Sequence, residues 1–207
     1  MSEYFNDVYN YQDNNNNCVI LPDIKSIFYT LIKNDHLIRY NMYMLEKDYS
    51  TMSFEGRCFI NEINKLDNIK LKNWIKIKIG DYFDIINNYK GYVEKSKSGI
   101  YPLVPPLVTI PDYNGISTYI DIYSLYGNYL TIASNGSSGV TFHQKGKFAV
   151  DKQIKVLQLK KDKELYLDLF AVCCSYFLTQ KYSYTNGLTE DKMLNEVIHY
   201  PIVEFIE

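Results

Sequence analysis

The sequence predicts an α+β protein in which helices from both ends of the chain pack on a central antiparallel β-meander at about 118–159. Short strand-like segments separated by glycine and asparagine turns fill that central region. The connections between them are too short for helical crossovers, which makes the pairing antiparallel. Apolar residues at helical spacing lie before and after the meander. With 46% hydrophobic and 22% charged residues among 207, the chain has enough apolar side chains to bury a core.

The N-terminal part predicts a flexible leader over residues 1–17, because the Asn14–Asn17 run has no hydrophobic periodicity. Residues 18–207 are then expected to form a single α+β domain. A first helix should follow Asp23, a favourable N-cap residue, since apolar residues recur behind it at helical spacing. These residues are Ile24, Ile27, Phe28, Leu31 and Ile32. Helical structure is also expected within 37–66.

Isoleucine and lysine alternate from Trp74 to Ile79, which predicts a half-buried strand. Gly80-Asp81 should end this strand and start a short helix that reaches Tyr89. Residues 91–117 hold Pro102, Pro105, Pro106 and Pro111. Because proline cannot donate to a sheet ladder, the stretch is expected to be a loop or a set of edge segments. It is also the place where a sub-boundary of the domain would fall.

The predicted meander has five strands, at 118–124, 129–134, 140–144, 147–151 and 154–159. The turns between them are assigned to Gly127-Asn128, to the Asn135–Gly139 segment and to Lys145-Gly146. A strong helix is expected at about 163–180, capped by Asp162, with one apolar face covering the sheet. A last helix is expected at about 189–199, capped by Thr189 and ended by Pro201.

Charge and composition argue against a nucleic-acid partner. The net charge is −2, the pI is near 6.0, and Arg39 and Arg57 are the only arginines. Tyrosine (21 residues), lysine and asparagine share A/T-rich codons, so the composition indicates an A/T-rich genome.

Location and cofactors follow from the termini and the cysteines. The N-terminus lacks a signal-peptide pattern and no apolar run reaches membrane-spanning length, so a cytoplasmic protein without membrane contact is expected. The four cysteines and three histidines have no zinc-ligand spacing, and no metal or cofactor is predicted. Cys173 and Cys174 are expected to be buried free thiols.

An enzymatic alternative centres on His143. Ser137 and Asp151 lie near it in sequence, so a small hydrolase or nuclease with its site around His143 and the 134–139 turn stays open. The glycine-rich segment itself lacks the helix N-terminus that a phosphate loop requires, because a strand follows it. It is therefore interpreted as a hairpin turn.

Several motifs resemble the SUKH superfamily, whose α+β members include bacterial immunity proteins that bind toxins. Leu21-Pro22, Phe28 and Asn34 are similar to its early motif. The Asn135–Gly139 turn and the helix within Lys163–Leu178 are similar to its later elements. The resemblance implies a protein that neutralises a partner toxin without catalysis.

The sequence thus favours a non-enzymatic protein-interaction module, with an immunity-type protein as its most concrete form. Tyrosine gives a large contact area at little entropic cost, so the partner-binding residues are predicted to be Tyr101, Tyr113, Tyr119 and Tyr123. A structural or accessory protein of an A/T-rich virus is the remaining alternative.

Overall fold

The computed structural model describes residues 9–12, 18–21, 27, 69–91, 99, 101–104 and 118–205. In this part of the chain the strands are β1 (Tyr9–Gln12), β2 (Cys18–Leu21), β3 (Ile69–Lys78), β4 (Phe83–Ile86), β5 (Tyr101–Val104), β6 (Thr118–Ile120), β7 (Leu125–Ala133), β8 (Thr141–Val150), β9 (Ile154–Leu159) and β10 (Val197–Phe205). The helices are α1 (Ile79–Tyr82), α2 (Leu167–Lys181) and α3 (Glu190–Asn195).

The chain divides into two compact units. The first comprises the described residues up to Ile75 together with those from His199 onward. In it, β1 pairs antiparallel with β2, and β3 lies beside β10. Lys72 forms an ion pair of 2.7 Å with Glu204 between the latter two strands. The second unit, Lys76–Ile198, contains the remaining elements and is described below.

A six-stranded sheet with the order β4-β9-β7-β8-β5-β6 forms the second unit. Its pairs are antiparallel except β5 with β8, which is parallel. The α+β class is therefore confirmed, and the strand pairs within 118–159 are antiparallel as predicted, but β5 from the preceding stretch adds a parallel pair. The reason lies in the proline-rich stretch, which supplies β5, with Pro102 inside it, between β8 and β6.

Three strands differ from the sequence prediction. The segments 140–144 and 147–151 form one continuous strand, β8, and Gly127-Asn128 lies within β7. The short helix expected to run to Tyr89 ends at Tyr82, and β4 follows. Phe83 is buried and Asp84 is exposed, so successive side chains point to opposite faces of a strand here. The same apolar spacing is also compatible with one face of a helix, which is why the sequence pattern predicts a helix.

The C-terminal helices are partly as predicted. Helix α2 begins after Tyr166, not after Asp162, and covers one face of the sheet as expected: Phe170 stacks on Phe83 at 5.0 Å between ring centroids. The Thr189 cap of α3 is confirmed, since its hydroxyl accepts from the backbone N–H of Lys192. The helix expected to continue to residue 199 is wrong, because α3 ends at Asn195. Strand β10 then begins and contains Pro201.

The N-terminal helices fall outside the described residues, apart from Ile27, which is helical and buried. The flexible leader over residues 1–17 and the single domain over 18–207 stay predictions. Strand β1 lies within the range of the predicted leader. Cys173 and Cys174 are buried free thiols, as predicted. Burial raises the pKa of the Cys174 thiol to about 12. Among the described residues, no helix has the length and apolarity that crossing a membrane requires.

A buried apolar cluster covers one face of β7 and β8. Leu125 and Phe148 face each other near one end of this ladder, and Ala133 lies at the other end. Both belong to one buried cluster, together with Phe148, Val104, Val150, Ile154 and Val156. We call the face of the ladder that this cluster covers its inner face.

Within this ladder two glycines with unusual backbone angles face each other in register, Gly127 and Gly146, and we call this point of the ladder the bend. Their φ angles are 152° and 80°, a region that L side chains rarely adopt. On the inner face, a Cβ on Gly127 would lie 2.8 Å from the ring of Tyr129. The Tyr129 ring thus occupies the space that glycine leaves, and it packs edge-on against Phe148 at 6.0 Å.

Replacing Gly146 tests whether the backbone conformation holds the bend. A Cβ at Gly146 would meet nothing within 4 Å, so Gly146→Ala introduces no clash. The substitution should still lower the free energy of unfolding by about 1–2 kcal/mol, because alanine is strained at this positive φ. Urea denaturation measures the change, with Asn128→Ala on the same ladder as the control. A Gly146→Ala variant as stable as the wild type would show that the bend needs no positive φ.

Candidate functional site

The outer side of the bend carries four exposed polar or aromatic side chains beside the glycine pair. Tyr126 faces Lys147 across the ladder, and Asn128 faces Lys145. Paired residues of a ladder share one face, so all four lie on the side opposite the buried cluster. Tyr126 is 71% exposed. We define the lysine–tyrosine surface as these residues together with two neighbouring tyrosines: Tyr101, Tyr123, Tyr126, Asn128, Lys145 and Lys147.

Two aromatic rings hold Lys147. Its Nζ lies 4.9 Å from the centroid of the Tyr123 ring and 6.0 Å from that of Tyr101. The two rings meet edge to face at 5.0 Å. Such cation–π contacts are worth about 0.5–1 kcal/mol at exposed sites. They restrict the side chain while the ammonium keeps its hydrogen-bond donors, so Lys147 is positioned to bind an anion.

Lys145 is fixed by helix α2. Its Nζ donates to Asp168 Oδ2 at 2.9 Å, and His143 Nδ1 lies 2.9 Å from Asp168 Oδ1. Asp168 stands in the first turn of α2, where a carboxylate also interacts favourably with the helix dipole. Burial works to raise the pKa of Asp168, but hydrogen bonds from His143 and Lys145 outweigh it, and the pKa lies below its ordinary value. The carboxylate therefore ties the covering helix to the lysine–tyrosine surface.

Chemically, this surface offers two ammonium groups, three aromatic faces and one amide. Ammonium groups bind phosphate as point charges, aromatic rings stack on the bases of single strands, and an amide can pair with a base edge. The surface contains no nucleophile placed beside a base. In the part of the chain that the structure describes, no group of three or more His, Cys, Asp or Glu residues could hold a metal ion.

The residues of the enzymatic alternative do not converge as a triad would require. The carboxylate beside His143 is that of Asp168, a residue the sequence did not single out. Asp151 accepts a hydrogen bond from the backbone N–H of Gln153 at 2.9 Å and so shapes the turn between β8 and β9. Ser137 lies in the 134–139 turn, where its carbonyl accepts from Val140 at 3.0 Å.

Two of the four predicted partner-binding tyrosines, Tyr101 and Tyr123, come together around Lys147. Tyr113 and the side chain of Tyr119 lie outside the described residues. Partner binding by these tyrosines stays a prediction. The rest of the surface was missed because its two glycines were interpreted as turns. The signal was present as two polar triplets centred on glycine, Tyr126-Gly127-Asn128 and Lys145-Gly146-Lys147.

Comparison with known proteins gives consistent matches. The family model of the type I restriction modification DNA specificity domain matches residues 71–204. A protein named as a type I specificity subunit of Mycoplasma pneumoniae is 34% identical over 101 residues, 47% of this chain and 26% of that protein. The S subunit of a type I restriction-modification system from M. genitalium, a crystal structure, has a TM-score of 0.50 at 19% identity. The matched region covers 62% of this chain and 34% of the M. genitalium subunit.

The crystal structure of the HsdS subunit from Thermoanaerobacter tengcongensis has a TM-score of 0.42 at 12% identity. The matched region covers 90% of this chain and 49% of that subunit. This chain thus spans about a quarter of the length of the curated relative and about a third of the M. genitalium subunit. The likeness to the M. genitalium subunit shows a shared fold.

These matches correct the functional predictions. The resemblance to the SUKH superfamily is wrong, because a different family model matches residues 71–204. The toxin-neutralising module is wrong with it. Neither the hydrolase or nuclease around His143 nor the viral accessory protein agrees with the match. The argument against nucleic acid is also wrong, since the matched family is a DNA specificity domain. Net charge describes the whole chain, whereas binding depends on one surface.

Asp168 gives a prediction about stability and pH. A carboxyl whose pKa is lower in the folded state stabilises the fold above its unfolded pKa of about 3.9. That contribution is lost as the pH falls through the folded pKa. Asp168→Asn should therefore cost about 1–2 kcal/mol of unfolding free energy near neutral pH. The cost should shrink below about pH 4.

Urea titrations of both proteins across this pH range measure the difference. Asp121→Asn, at an exposed position before β7, is the matched control and should change stability little. A deficit of Asp168→Asn that stayed constant down to about pH 3 would contradict the assigned role of the carboxylate.

Proposed function

This chain belongs to the family of type I restriction modification DNA specificity domains, and we propose that it binds double-stranded DNA and recognises its sequence. The observation that supports the proposal is the lysine–tyrosine surface on the outer side of the bend. Its lysines are directed by neighbouring groups, and its amide suits contact with a base edge in a duplex groove. The chain as a whole is weakly acidic, so the DNA should be attracted by this local surface alone.

The phosphate contacts fall to Lys147 and Lys145. Each protein cation that neutralises a phosphate releases condensed counterions, which makes binding weaken with salt. Lys147 carries the larger share, because the rings of Tyr101 and Tyr123 leave its charge uncompensated. Lys145 already shares its charge with Asp168 at 2.9 Å. Lys147 is therefore the residue whose removal should weaken binding more.

The ladder around the glycine pair has a form that suits the DNA major groove, which admits a two-stranded β-ribbon. Among the described strands, β9 pairs with β7 from Leu130 onward and β5 pairs with β8 at Ala149 and Val150, so β7 and β8 pair with each other alone around Gly127 and Gly146. The side chains beside the glycines point away from the buried cluster. The base edges in the groove would then contact side chains of β7 and β8, and Lys145 and Lys147 would contact the flanking phosphates.

We further propose that this chain works with other protein subunits. Its M. pneumoniae relative is named as a specificity subunit, which is a component of an assembly. In this role the chain supplies recognition, and the partner subunits supply the chemistry on DNA. The cytoplasmic location predicted from the sequence is compatible with such a role.

Charge removal at Lys147 tests the proposal. Fluorescence anisotropy with a pool of labelled duplexes should show that Lys147→Gln weakens binding severalfold at low salt. The slope of log K against log salt should fall by about 0.9, the loss of one phosphate contact. Lys145→Gln should have a smaller effect.

Lys161→Gln is the matched control, because Lys161 is an exposed lysine in the turn that follows β9, outside the lysine–tyrosine surface. It should leave both affinity and salt slope unchanged. Equal losses for Lys161→Gln and Lys147→Gln would indicate diffuse attraction and reject the assigned surface. Absence of duplex binding by the wild-type chain would reject the function itself.

A further inference from the structure

We propose that Asn128 is a base-reading residue that recognises adenine through the major groove. The proposal rests on the DNA binding proposed above and deepens it by assigning one specificity-determining side chain. Asn128 lies on the outer side of the bend, directly opposite Lys145 and next to Gly127. Its side chain is exposed.

Asn128 has no local backbone role that would explain the choice of residue. A Gly-Asn pair commonly forms a turn, but here both residues are paired in the ladder, with Gly146 and Lys145. Asparagine is unfavourable within strands. Its side chain also faces away from the buried cluster that stabilises the bend. A lysine, threonine or tyrosine would suit this exposed strand position better for folding alone.

The surroundings of Asn128 are set for nucleotide contact. Lys145 faces Asn128 across the ladder and is held by Asp168. Lys147 lies two residues further along β8 and is held over the ring of Tyr123. Two ammonium groups in fixed positions define where phosphates bind. The amide between Tyr126 and these lysines then faces the space between phosphates, where base edges are exposed in the groove.

The chemistry of the amide selects the base. Within the lysine–tyrosine surface, Asn128 is the residue that carries a donor and an acceptor on neighbouring atoms. Adenine presents N7 as an acceptor and the N6 amino group as a donor on its major-groove edge. The amide matches both at once. Lysine has donors alone, which suits phosphate or guanine, and a tyrosine hydroxyl offers a single atom.

The test begins with selection of randomised duplexes by the full chain, wild type and Asn128→Ala. The wild-type motif should contain an adenine position at which other bases bind roughly tenfold more weakly. Asn128→Ala should reduce the preference at that position to nearly none. Its salt slope should stay that of the wild type, because no charge is removed. Asn88→Ala, an exposed asparagine after β4, is the matched control.

A second measurement identifies the atom that is read. The selected duplex is synthesised with 7-deazaadenine at the preferred position, which removes the N7 acceptor. This change should weaken wild-type binding by a large part of the tenfold preference and leave Asn128→Ala binding unaltered, as expected of a coupled pair. Asn128→Asp, which keeps the size but loses the donor, should behave like Asn128→Ala at adenine.

The outcomes separate the two proposals. A motif that Asn128→Ala leaves intact, or equal losses for both proteins with 7-deazaadenine, would overturn the role of Asn128 while DNA binding stands. No duplex binding by the wild type, with folding verified by circular dichroism, would overturn the proposed function as well. Loss of the adenine preference together with an unchanged salt slope supports both.

Discussion

The paired glycines Gly127 and Gly146 are the constraint on which the second unit depends. Both have positive φ, and the β7–β8 ladder continues through them. One buried cluster includes Leu125 and Phe148 near one end of this ladder, Ala133 near the other, and Ile154 of β9. The ring of Tyr129 lies where a side chain at Gly127 would otherwise stand and packs against Phe148. The absence of a side chain at Gly127 thus leaves the space that this part of the apolar packing uses.

The same bend determines which side chains remain on the surface. Helix α2 covers part of the outer face, where Phe170 contacts Phe83 and Ser175 bonds to the backbone of Thr141. Next to the first turn of α2, the outer-face side chains Asn128, Lys145 and Lys147 are exposed among the described residues, and the lysine–tyrosine surface begins there. Asp168 lies at this border and contacts a buried histidine on one side and an exposed lysine on the other. The Asp168 carboxylate therefore contributes both to the packing of α2 on the sheet and to the position of the Lys145 side chain.

The sequence predicted those features that depend on local chemistry. The α+β class, strand β9, the Thr189 cap and the buried cysteines follow from hydrophobic period, side-chain hydrogen bonding and apolar surroundings. The features that depend on distant partners were missed. Strand β4 forms because β9 offers a free edge to Phe83 and Ile85, and Pro201 is accommodated in β10 beside β3. Likewise, a glycine within a strand resembles a turn unless the glycine it faces is known.

Function was misread for a related reason, because composition was treated as a property of the whole chain. Tyrosine, lysine and asparagine are abundant here, and A/T-rich codons are sufficient to explain their abundance. Codon usage supplies residues but does not position them, and the bend gathers a few of them on one surface. Arginine, whose planar fork commonly reads guanine, is not among the residues of the lysine–tyrosine surface, and Arg39 and Arg57 lie outside the described residues. The lysines of this surface are better suited to phosphate, so in the proposed recognition a base edge would be read here by a side chain that pairs a donor with an acceptor. On this surface that requirement leads to Asn128, a residue that strand propensity alone would not place in the ladder.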